Sequence, residues 1–424
     1  MQTASKWRIL VVCPTEWERA AMASGDLQSR YDFALCGEEL CDRVGLWTAL
    51  RFSVPRFLDQ VTAQQRDRGI DGVLGTGDYP GCLLSALLAE RLGLRGPRAR
   101  DITLLSHKYY SRLFQQRFVP EATPRFEALY PRIAPTLDYP FFVKPMKGTM
   151  SLRAQMVHSP AQLEQAVALS LGERLGGFVL LRPFEALLRT YVPDAIPARR
   201  FIAEAPLRGH QVTVDGFVQS GRATVMGIVD SIMYPGTISF RRFEYPSTLP
   251  AVVQARMSEL ATRLMEGIGF DHSCFNIEMF YDPTADTISI IEINPRMSYQ
   301  FSDLFAYVNG MSSFSVQLAL ITGTPVSWPD IQAPERAAAS FVLRRFRDAR
   351  VRAVPTQQRL DELAQTFPEM QVKILCRVGQ RLSAQTQDVG SYRYCIVNLG
   401  APSRGELLAR FERIEQSLPF VFEE

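Results

Sequence analysis

The chain has 424 residues, and its hydrophobic and charged fractions of 46% and 21% are those of an ordinary globular protein. This length is enough for two or three domains. The formal net charge of +3 is small and no long run of Lys and Arg occurs, so a nucleic-acid or membrane surface is not expected.

The cysteines and the amino terminus indicate the cellular setting. Seven cysteines without a C-x-x-C spacing argue against a disulfide framework and a zinc ribbon. The four histidines show no metal-ligand spacing. The amino terminus lacks a signal-peptide pattern, and no apolar run approaches ~20 residues. We therefore expect a cytoplasmic protein.

Residues 1–103 are expected to form a doubly wound α/β domain. Apolar runs typical of strands in a parallel sheet alternate with helical patterns. The strands are predicted at 9–14, 32–36 and 72–77, and the helices at 55–68 and 82–92. The turn at 75–78 could contact a ligand at the end of its strand, but a single G-x-G favours a tight turn.

Two lysines in the next segment are placed to bind anions. Lys108 lies near the start of a helix predicted at 106–118, where N–H groups and the dipole favour negative charge. Taken alone, an exposed lysine is the simpler interpretation. Lys144 interrupts an apolar strand predicted at 139–145, and a buried ammonium group needs an anionic partner such as phosphate.

A loop with small side chains and several hydrogen-bond donors follows Lys144. It contains Gly148, Thr149 and Ser151, and such a loop is suited to covering phosphates. Ordinary turn chemistry is the alternative interpretation.

The rest of the chain predicts a second region, 104–330, and a C-terminal α/β subdomain, 331–424. The second region is predicted to contain a helix at 160–171, strands at 178–181 and 211–218, and an insertion at 184–200. The C-terminal subdomain is predicted to contain strands at 339–343, 371–374 and 394–399 and a helix at 404–418.

Carboxylates on two neighbouring strands predict a divalent-metal site. Glu292, Asn294 and Arg296 alternate with apolar residues and so share one face of a strand. Glu278 lies on a second alternating segment, and the turn at 282–286 predicts a hairpin that sets the two carboxylates side by side. Such carboxylates repel unless a cation lies between them, and Mg²⁺ prefers oxygen ligands. A solvated edge strand is the alternative.

Several motifs carry a family resemblance and follow one another along most of the chain. They are Lys108 on a helix, Lys144-Pro145 with its loop, Glu204 before a G-x-x-x-x-x-D-G strand, Glu278, and Glu292-x-Asn294-x-Arg296. In this order and spacing the sequence resembles the ATP-grasp superfamily, of the carboxylate–amine ligase type with a biotin-carboxylase-like layout. The resemblance implies a mixed α/β and α+β fold, with a two-lobed ATP-grasp domain at 104–330 and a mobile lid at about 139–203.

The resemblance also implies ATP and Mg²⁺ (or Mn²⁺) as cofactors. Lys108 and Lys144 would neutralise the α- and β-phosphates, and the loop at 147–151 would close over the β- and γ-phosphates. The implied loop residues are Lys147, Gly148, Thr149 and Ser151. Glu204 and the backbone of Ala205 and Leu207 would line the adenine pocket, with Gln211 nearby.

The remaining implied roles concern the metals and the transferred group. Glu278 and Glu292 would bridge two Mg²⁺ ions, and Asn294 would complete one coordination shell. Arg296 would steady the transferring phosphoryl group or an acyl phosphate, and with Lys144 it would form the catalytic set.

Three positions depart from the family pattern. Gln211 stands where many relatives have an acidic residue, and the loop at 147–151 holds one glycine instead of several. The sequence after Arg296 lacks the R-x-Q-V-E-H continuation of biotin carboxylases, because Gln300 replaces the glutamate that would act on bicarbonate.

These implications favour an ATP-dependent carboxylate–amine ligase that forms an amide or peptide bond through an acyl phosphate. Activation of bicarbonate and non-catalytic nucleotide binding are the alternatives. The expected partners are small carboxylate and amine substrates, amino acids among them, with a homodimer as a family-level expectation. Arg241 and Arg242 are candidates for holding a substrate carboxylate.

Overall fold

The computed structural model describes residues 6–41, 46–66, 68–148, 153–331, 333, 336–384 and 390–424. Thr149 and Ser151 of the predicted loop lie outside the described residues.

A three-stranded parallel sheet with helices forms the amino-terminal region. Its elements are β1 (Trp7–Val12), α1 (Glu16–Met22), α2 (Gly25–Arg30), β2 (Tyr31–Cys36), α3 (Leu46–Arg51), α4 (Val54–Gln65), β3 (Gly72–Leu74), α5 (Gly81–Leu92) and α6 (Ala99–Leu105). The strand order is β2-β1-β3, and β1 is parallel to both neighbours. Residues 9–12 have no exposed surface, as expected for a strand covered on both faces. The predicted α/β character of this region is confirmed.

A four-stranded sheet follows, and it carries Lys144 and Glu204. Its elements, with the helix that precedes it, are α7 (Lys108–Phe118), β4 (Phe126–Ala128), β5 (Phe141–Pro145), β6 (Gln155–Val157), α8 (Pro160–Val167), α9 (Leu171–Tyr191) and β7 (Phe201–Glu204). The strand order is β4-β7-β5-β6. Strands β5 and β7 pair antiparallel, with Lys144 opposite Ile202 and Phe142 opposite Glu204, so Lys144 and Glu204 lie on the same face of the sheet as diagonal neighbours.

The strand predicted at 178–181 is wrong, because these residues lie within helix α9. A capping box between Ser170 and Glu173 starts this helix. Phe184 and Leu188 are buried at helical spacing, whereas Phe178 and Leu180 are about half exposed. A short apolar run does not distinguish strand from helix. The first part of the predicted insertion at 184–200 continues the same helix.

An eight-stranded antiparallel sheet forms the centre of the molecule. The remaining elements are β8 (His210–Gln219), β9 (Arg222–Met233), β10 (Phe240–Tyr245), α10 (Ala251–Ile268), β11 (Ser273–Asp282), β12 (Thr287–Asn294), α11 (Tyr299–Asn309), α12 (Ser313–Thr322), β13 (Ala337–Arg345), β14 (Arg350–Ala353), α13 (Gln357–Thr366), β15 (Met370–Ile374), β16 (Tyr392–Ala401), α14 (Arg404–Ser417) and β17 (Val421–Glu423). The sheet order is β12-β11-β8-β9-β10-β13-β16-β15.

This sheet brings distant parts of the sequence together. Apolar residues of α6, α7, α9 and α10 pack with those of β8, β11 and β12 in one core. A second core joins β1 and β3 of the amino-terminal region to α11, α12 and β13. Strands β13, β15 and β16 of the last segment extend the same sheet, at the end opposite to β11 and β12, which carry the predicted metal site. The predicted domain boundaries at 103 and 330 stay predictions.

No single helix among the described residues is long and apolar enough to cross a membrane. Helices α11 and α12 meet that criterion only as a pair, and they are bent by 101° relative to each other.

Candidate active site

A cavity of about 1300 Å³ lies where the amino-terminal region, both larger sheets and the last segment meet. Pockets that hold one small ligand measure ~300–1,000 Å³, so this cavity has room for more than one. The predicted site residues that line it are Lys108, Lys147, Gly148, Glu204, Glu278, Glu292, Asn294 and Arg296. The structure therefore brings most of the predicted residues into one space.

Glu278 and Glu292 lie directly opposite each other on β11 and β12. The predicted hairpin is confirmed, and Asn276 and Asn294 form the next pair on the same face. The amide Nδ2 of Asn294 donates to Glu278 Oε1 at 3.3 Å and to Asn276 Oδ1 at 3.1 Å. Gln211 Nε2 donates to the other oxygen of Glu278 at 3.2 Å. The amides of Gln211 and Asn294 therefore hold the Glu278 carboxylate, and Asn276 supports Asn294.

The two carboxyl groups have different electrostatic surroundings. Burial, with the neighbouring Glu292 carboxylate, raises the pKa of Glu278. Burial alone would also raise the pKa of Glu292, but the ammonium groups of Lys108 and Lys144 outweigh it and lower that pKa. Glu278 is therefore the member of the pair that lacks a strong cationic partner.

This donor set fits Mg²⁺. Within the described ranges, no group of three or more His, Cys, Asp or Glu side chains could hold a metal. Two carboxylates and the amide of Asn294 nevertheless suit an ion that takes one or two protein carboxylates and completes its shell with water and phosphate oxygens. The raised pKa of Glu278 points the same way, because a cation between the two carboxylates would relieve their repulsion.

Lys108 and Lys144 flank the carboxylate pair. The Lys108 ammonium lies 3.2 Å from Glu292 Oε2 and donates to the carbonyl of Gly148 at 3.1 Å. Lys144 Nζ lies 2.9 Å from Glu204 Oε2 and donates to the carbonyl of Ile291 at 3.2 Å. The two lysines, 36 positions apart in sequence, thus meet at the strand that carries Glu292.

Arg112 on α7 is a site residue that the sequence interpretation missed. Its Nε and Nη2 atoms donate to the two oxygens of Glu204, each at 2.9 Å, and it also donates to the carbonyls of Ile290 and Ile291 at 2.8 Å. The residue is 1% exposed. Its position four residues after Lys108, on the same face of the helix, was the available signal.

Glu204 is the carboxylate partner of two buried cations. Burial would raise its pKa, but Arg112 and Lys144 outweigh that effect and hold the pKa low. Glu204 lines the cavity, whereas Ala205 and Leu207 are not among its described lining residues. The Ala205 N–H donates to the carbonyl of Arg125 at 2.8 Å. The adenine-pocket role of these two residues stays a prediction.

Asp78, after β3, is a second residue that the sequence interpretation did not assign. Its carboxylate lies 3.4 Å from Lys147 Nζ and 3.7 Å from Arg296 Nη2. Burial would raise the pKa of Asp78, but these two cations outweigh it and lower that pKa. Lys147 also lies 5.8 Å from the ring centre of Tyr79. Asp78 of the amino-terminal region therefore contacts both Lys147, from the predicted phosphate loop, and Arg296, which follows β12.

The turn that carries Asp78 requires glycine for packing. A Cβ atom on Gly75 would lie 2.6 Å from the carbonyl oxygen of Gly81 and from the side chain of Ser85. The sequence predicted a tight turn here. The close approach of neighbouring backbone explains why residue 75 is glycine. Asp78 nevertheless faces the cavity from the end of the same turn.

Asp215 lies beneath the carboxylate pair. It is opposite Asn276 in the pairing of β8 with β11, and Asn276 Nδ2 donates to its Oδ2 at 2.8 Å. The side chain is completely buried. Burial, with a smaller contribution from Glu278, raises the pKa of Asp215 to about 8.

The lysines of the chain are concentrated at the cavity. The sequence contains 47 Lys and Arg residues, and only five of them are lysines, at positions 6, 108, 144, 147 and 373. Lys108, Lys147 and Lys373 line the cavity. Because Arg112 and Arg296 also line the cavity, it offers both compact ammonium groups and planar guanidinium groups, which bind ligands differently.

Comparison with known sequences finds a family match for part of the chain. Residues 137–302 match the ATP-grasp domain family. The chain is 29% identical over 151 residues to the carbamoyl phosphate synthase large chain, C-terminal section, of Methanopyrus kandleri, covering 31% of this chain and 28% of the relative. It is 32% identical over 98 residues to carnosine synthase 1 of Gallus gallus, covering 23% and 10%. The chain thus matches less than a third of each curated relative.

The fold is shared over the whole length with a solved structure. The L-amino acid ligase of Bacillus licheniformis matches with a TM-score of 0.75 and 17% identity, and the match covers 100% of both chains. At this identity the likeness establishes the fold alone. Residues 137–302, which include the strands that carry the carboxylates, thus match the ATP-grasp domain, and the whole chain shares the fold of this solved structure.

Proposed function

We propose that the protein is an ATP-dependent carboxylate–amine ligase that forms an amide or peptide bond and releases ADP and phosphate. The observation that carries this proposal is the opposed pair Glu278 and Glu292, flanked by Lys108 and Lys144 in a cavity with room for further substrates. A carboxylate pair of this kind suits metal-bound polyphosphate, and the lysines suit its phosphate oxygens.

The ion pairs of the site are arranged so that partners can be exchanged. Lys108 is paired with Glu292 and Lys147 with Asp78. When ATP binds, each lysine would exchange its carboxylate for a phosphate oxygen, and Glu292 would become available to Mg²⁺ or Mn²⁺. Bound Mg²⁺ would stabilise the charge that develops during phosphoryl transfer.

The proposed chemistry has two steps. A carboxylate oxygen of the acid substrate attacks the γ-phosphorus of ATP, and ADP leaves. The amine nitrogen then attacks the carbonyl carbon of the acyl phosphate, phosphate leaves, and the nitrogen loses a proton. Arg296, whose guanidinium lines the cavity, would donate hydrogen bonds to the transferred phosphoryl group in both steps. No protein nucleophile is required.

The environment of Gln300 favours amide formation over bicarbonate activation. Gln300 lines the cavity, and its Nε2 donates to Ser340 Oγ at 2.9 Å. A neutral amide cannot accept a proton as the glutamate of biotin carboxylases would. The amine substrate of a ligase needs only a short-lived contact with water or phosphate to lose its proton.

The proposal is tested by measuring ADP and phosphate release from MgATP with pools of amino acids, small carboxylic acids and amines. The expected result is equal release of ADP and phosphate only when an acid and an amine are both present, with the amide detected by mass spectrometry. Tight ATP binding without turnover in any pool would support the non-catalytic alternative. ADP release that depends on bicarbonate and increases with biotin would support carboxylation.

A further inference from the structure

In the proposed reaction the cavity must also hold an amine next to the activated acid. At neutral pH most amines arrive as ammonium ions, and a charged ammonium group leaves water only where an anion or an aromatic ring receives it. Five carboxylates among the described residues line the cavity. They belong to Glu16, Asp78, Glu204, Glu278 and Glu292. An amine subsite therefore has five candidate anions.

Three of these carboxylates already have partners or a proposed role. Glu278 and Glu292 face each other on β11 and β12 as the proposed metal ligands. Glu204 is the ion-pair partner of the buried cations Arg112 and Lys144. Two carboxylates of the amino-terminal region remain for an ammonium group.

The two remaining carboxylates differ in their distance from the proposed chemistry. The side chain of Glu16 is 67% exposed and lies 3.6 Å from Lys373 on β15. The side chain of Asp78 is 34% exposed and lies 3.7 Å from Arg296 Nη2, the guanidinium proposed to bind the transferred phosphoryl group. An amine bound at Asp78 would therefore lie next to the acyl phosphate that it attacks.

The two oxygens of Asp78 have different surroundings. Oδ1 accepts the N–H of Tyr79 at 2.8 Å and lies 3.4 Å from Lys147 Nζ. Oδ2 lies 3.7 Å from Arg296 Nη2, beyond hydrogen-bond distance. Within the part of the chain that the structure describes, Oδ2 accepts no hydrogen bond. This oxygen can therefore take a further donor without displacing another.

The Lys147 side chain shows that the surroundings of Asp78 accept an ammonium group. Its Nζ atom lies 3.4 Å from Asp78 Oδ1 and 5.8 and 5.7 Å from the ring centres of Tyr79 and Phe184. The Lys147 side chain is only 6% exposed, so the carboxylate and the aromatic faces replace its water. When Lys147 exchanges Asp78 for a phosphate oxygen of ATP, as proposed above, Asp78 loses one of its two cations.

We propose that Asp78 binds the ammonium group of the amine substrate once ATP is in place. The inference rests on the proposed ligase function and adds the amine subsite to it. The substrate class is an amine that is protonated at neutral pH, such as the α-amino group of an amino acid.

The role of Asp78 is to place the nitrogen for attack. The bound ammonium gives one proton to water, and the neutral nitrogen then attacks the carbonyl carbon of the acyl phosphate. The carbon–nitrogen bond forms, the carbon–oxygen bond to phosphate breaks, and a second proton leaves with the phosphate. Asp78 itself ends the reaction as it began, as a carboxylate.

Arg241 and Arg242, the sequence candidates for substrate binding, are placed elsewhere. Neither is among the described residues that line the cavity. The Arg242 guanidinium is paired with Glu244, and Arg241 is exposed. A substrate contact from these two arginines is therefore not part of the inference.

The test separates binding of the amine from binding of ATP and the acid. ADP release by Asp78→Asn is measured while ATP, the acid or the amine is varied, with each amino acid that supports turnover as the amine. A parallel assay replaces the amine with hydroxylamine, which is uncharged at neutral pH and traps an acyl phosphate as a hydroxamate. Glu16→Gln is the control at the other cavity carboxylate, and Asp26→Asn is the control at an exposed aspartate of the same region.

Asp78→Asn should raise the KM of the amine by ~10-fold or more, as expected for losing a charged hydrogen bond. The KM of ATP should not rise, because Lys147 leaves Asp78 for a phosphate oxygen. Hydroxamate formation should stay near that of wild type, which also shows that the variant is folded. Glu16→Gln and Asp26→Asn should behave as wild type.

A second measurement uses wild-type protein alone. The 2-hydroxy acid with the same side chain as the amino acid replaces the ammonium with a hydroxyl group. As a competitive inhibitor it should bind ~10-fold or more weakly than the amino acid, since it has no charge to pair with Asp78. Equal affinity of the two compounds would contradict an ammonium subsite.

Two results with the variants would overturn the inference while leaving ligation intact. An equal loss with the amine and with hydroxylamine would mean that Asp78 only positions Lys147 and Arg296. An unchanged amine KM in Asp78→Asn, with or without a rise in Glu16→Gln, would place the amine elsewhere. Absence of both turnover and hydroxamate in wild-type protein would instead contradict the proposed ligase function.

Discussion

The Lys108 ammonium lies 3.2 Å from Glu292 Oε2, while Glu278, directly across the hairpin, accepts hydrogen bonds from the amides of Gln211 and Asn294. The pair is thus asymmetric, because the lysines lower the pKa of Glu292 whereas burial and repulsion raise the pKa of Glu278. A divalent cation would remove this asymmetry, so both carboxylates should be needed for turnover.

Glu292→Gln is expected to reduce turnover by ~100-fold or more, because loss of a partner outside the first coordination shell already costs 10- to 100-fold. The unfolding midpoint should change little, since the group is partly exposed and Gln keeps its size. Steady-state ADP release and thermal unfolding measure both effects. Glu259→Gln, an exposed change on α10, is the matched control. Near-native rates in Glu292→Gln would show that the metal assignment is wrong.

Lys144→Met is expected to raise the KM of ATP by ~10-fold with a smaller change in kcat, because a phosphate-binding cation is lost. The methionine side chain keeps the length of the lysine stem. ATP titration of initial rates provides the measurement, and Lys6→Met supplies a control at an exposed lysine. An unchanged KM would mean that Lys144 serves only as the partner of Glu204.

Arg112→Met is expected to lower the free energy of unfolding by ~3–5 kcal/mol, as for a buried pair that loses one partner. Glu204 would keep only Lys144, and the carbonyls of Ile290 and Ile291 would lose their donor. Denaturant unfolding measures the change, with Arg117→Met on the exposed side of α7 as the control. Adding Glu204→Gln should recover part of the loss, and no recovery would argue against the pairing as its cause.

Asp215→Asn is expected to reduce the loss of stability that accompanies rising pH. The folded protein keeps the Asp215 carboxyl protonated up to a pKa of about 8, compared with an ordinary value of 3.8. Between these values the unfolded chain ionises first, so this group stabilises the fold at low pH and loses that contribution as pH rises.

The stability of Asp215→Asn relative to wild type should therefore increase from pH 5 to pH 8 by at least ~1 kcal/mol. Urea unfolding at both pH values provides the comparison, with Asp26→Asn, an exposed change, as the control. The same difference between variant and wild type at both pH values would be incompatible with a protonated Asp215.

Local patterns of the sequence predicted the carboxylate pair well. Alternation with period two placed Glu292 and Asn294 on one face, and the short turn before β12 fixed the register opposite Glu278. Identification of Lys108 and Lys144 as site residues also required the order of the motifs along the chain. Their shared contact with the strand of Glu292 is a tertiary property that neither Lys108 nor Lys144 reveals alone.

Other features depended on packing that the sequence does not display. Arg112 looks like an ordinary helix arginine until Glu204 and two backbone carbonyls surround it. Asp78 becomes important because Lys147 and Arg296 approach it from two other elements. The error at 178–181 was local, since the capping box of Ser170 and Glu173 was a readable signal for a helix.

The two contacts of Asp78 limit how this protein can be divided into fragments or recombined with others. A fragment confined to the family match at 137–302 would retain Lys147 and Arg296 but lose their shared anchor, along with the wall that β15 and β16 supply. Grafting that segment onto another scaffold would transfer the proposed metal ligands and Lys144 without Lys108, the ion-pair partner of Glu292. The proposed active site therefore depends on the assembled chain, because its walls come from the amino-terminal region, the hairpin and the last segment together.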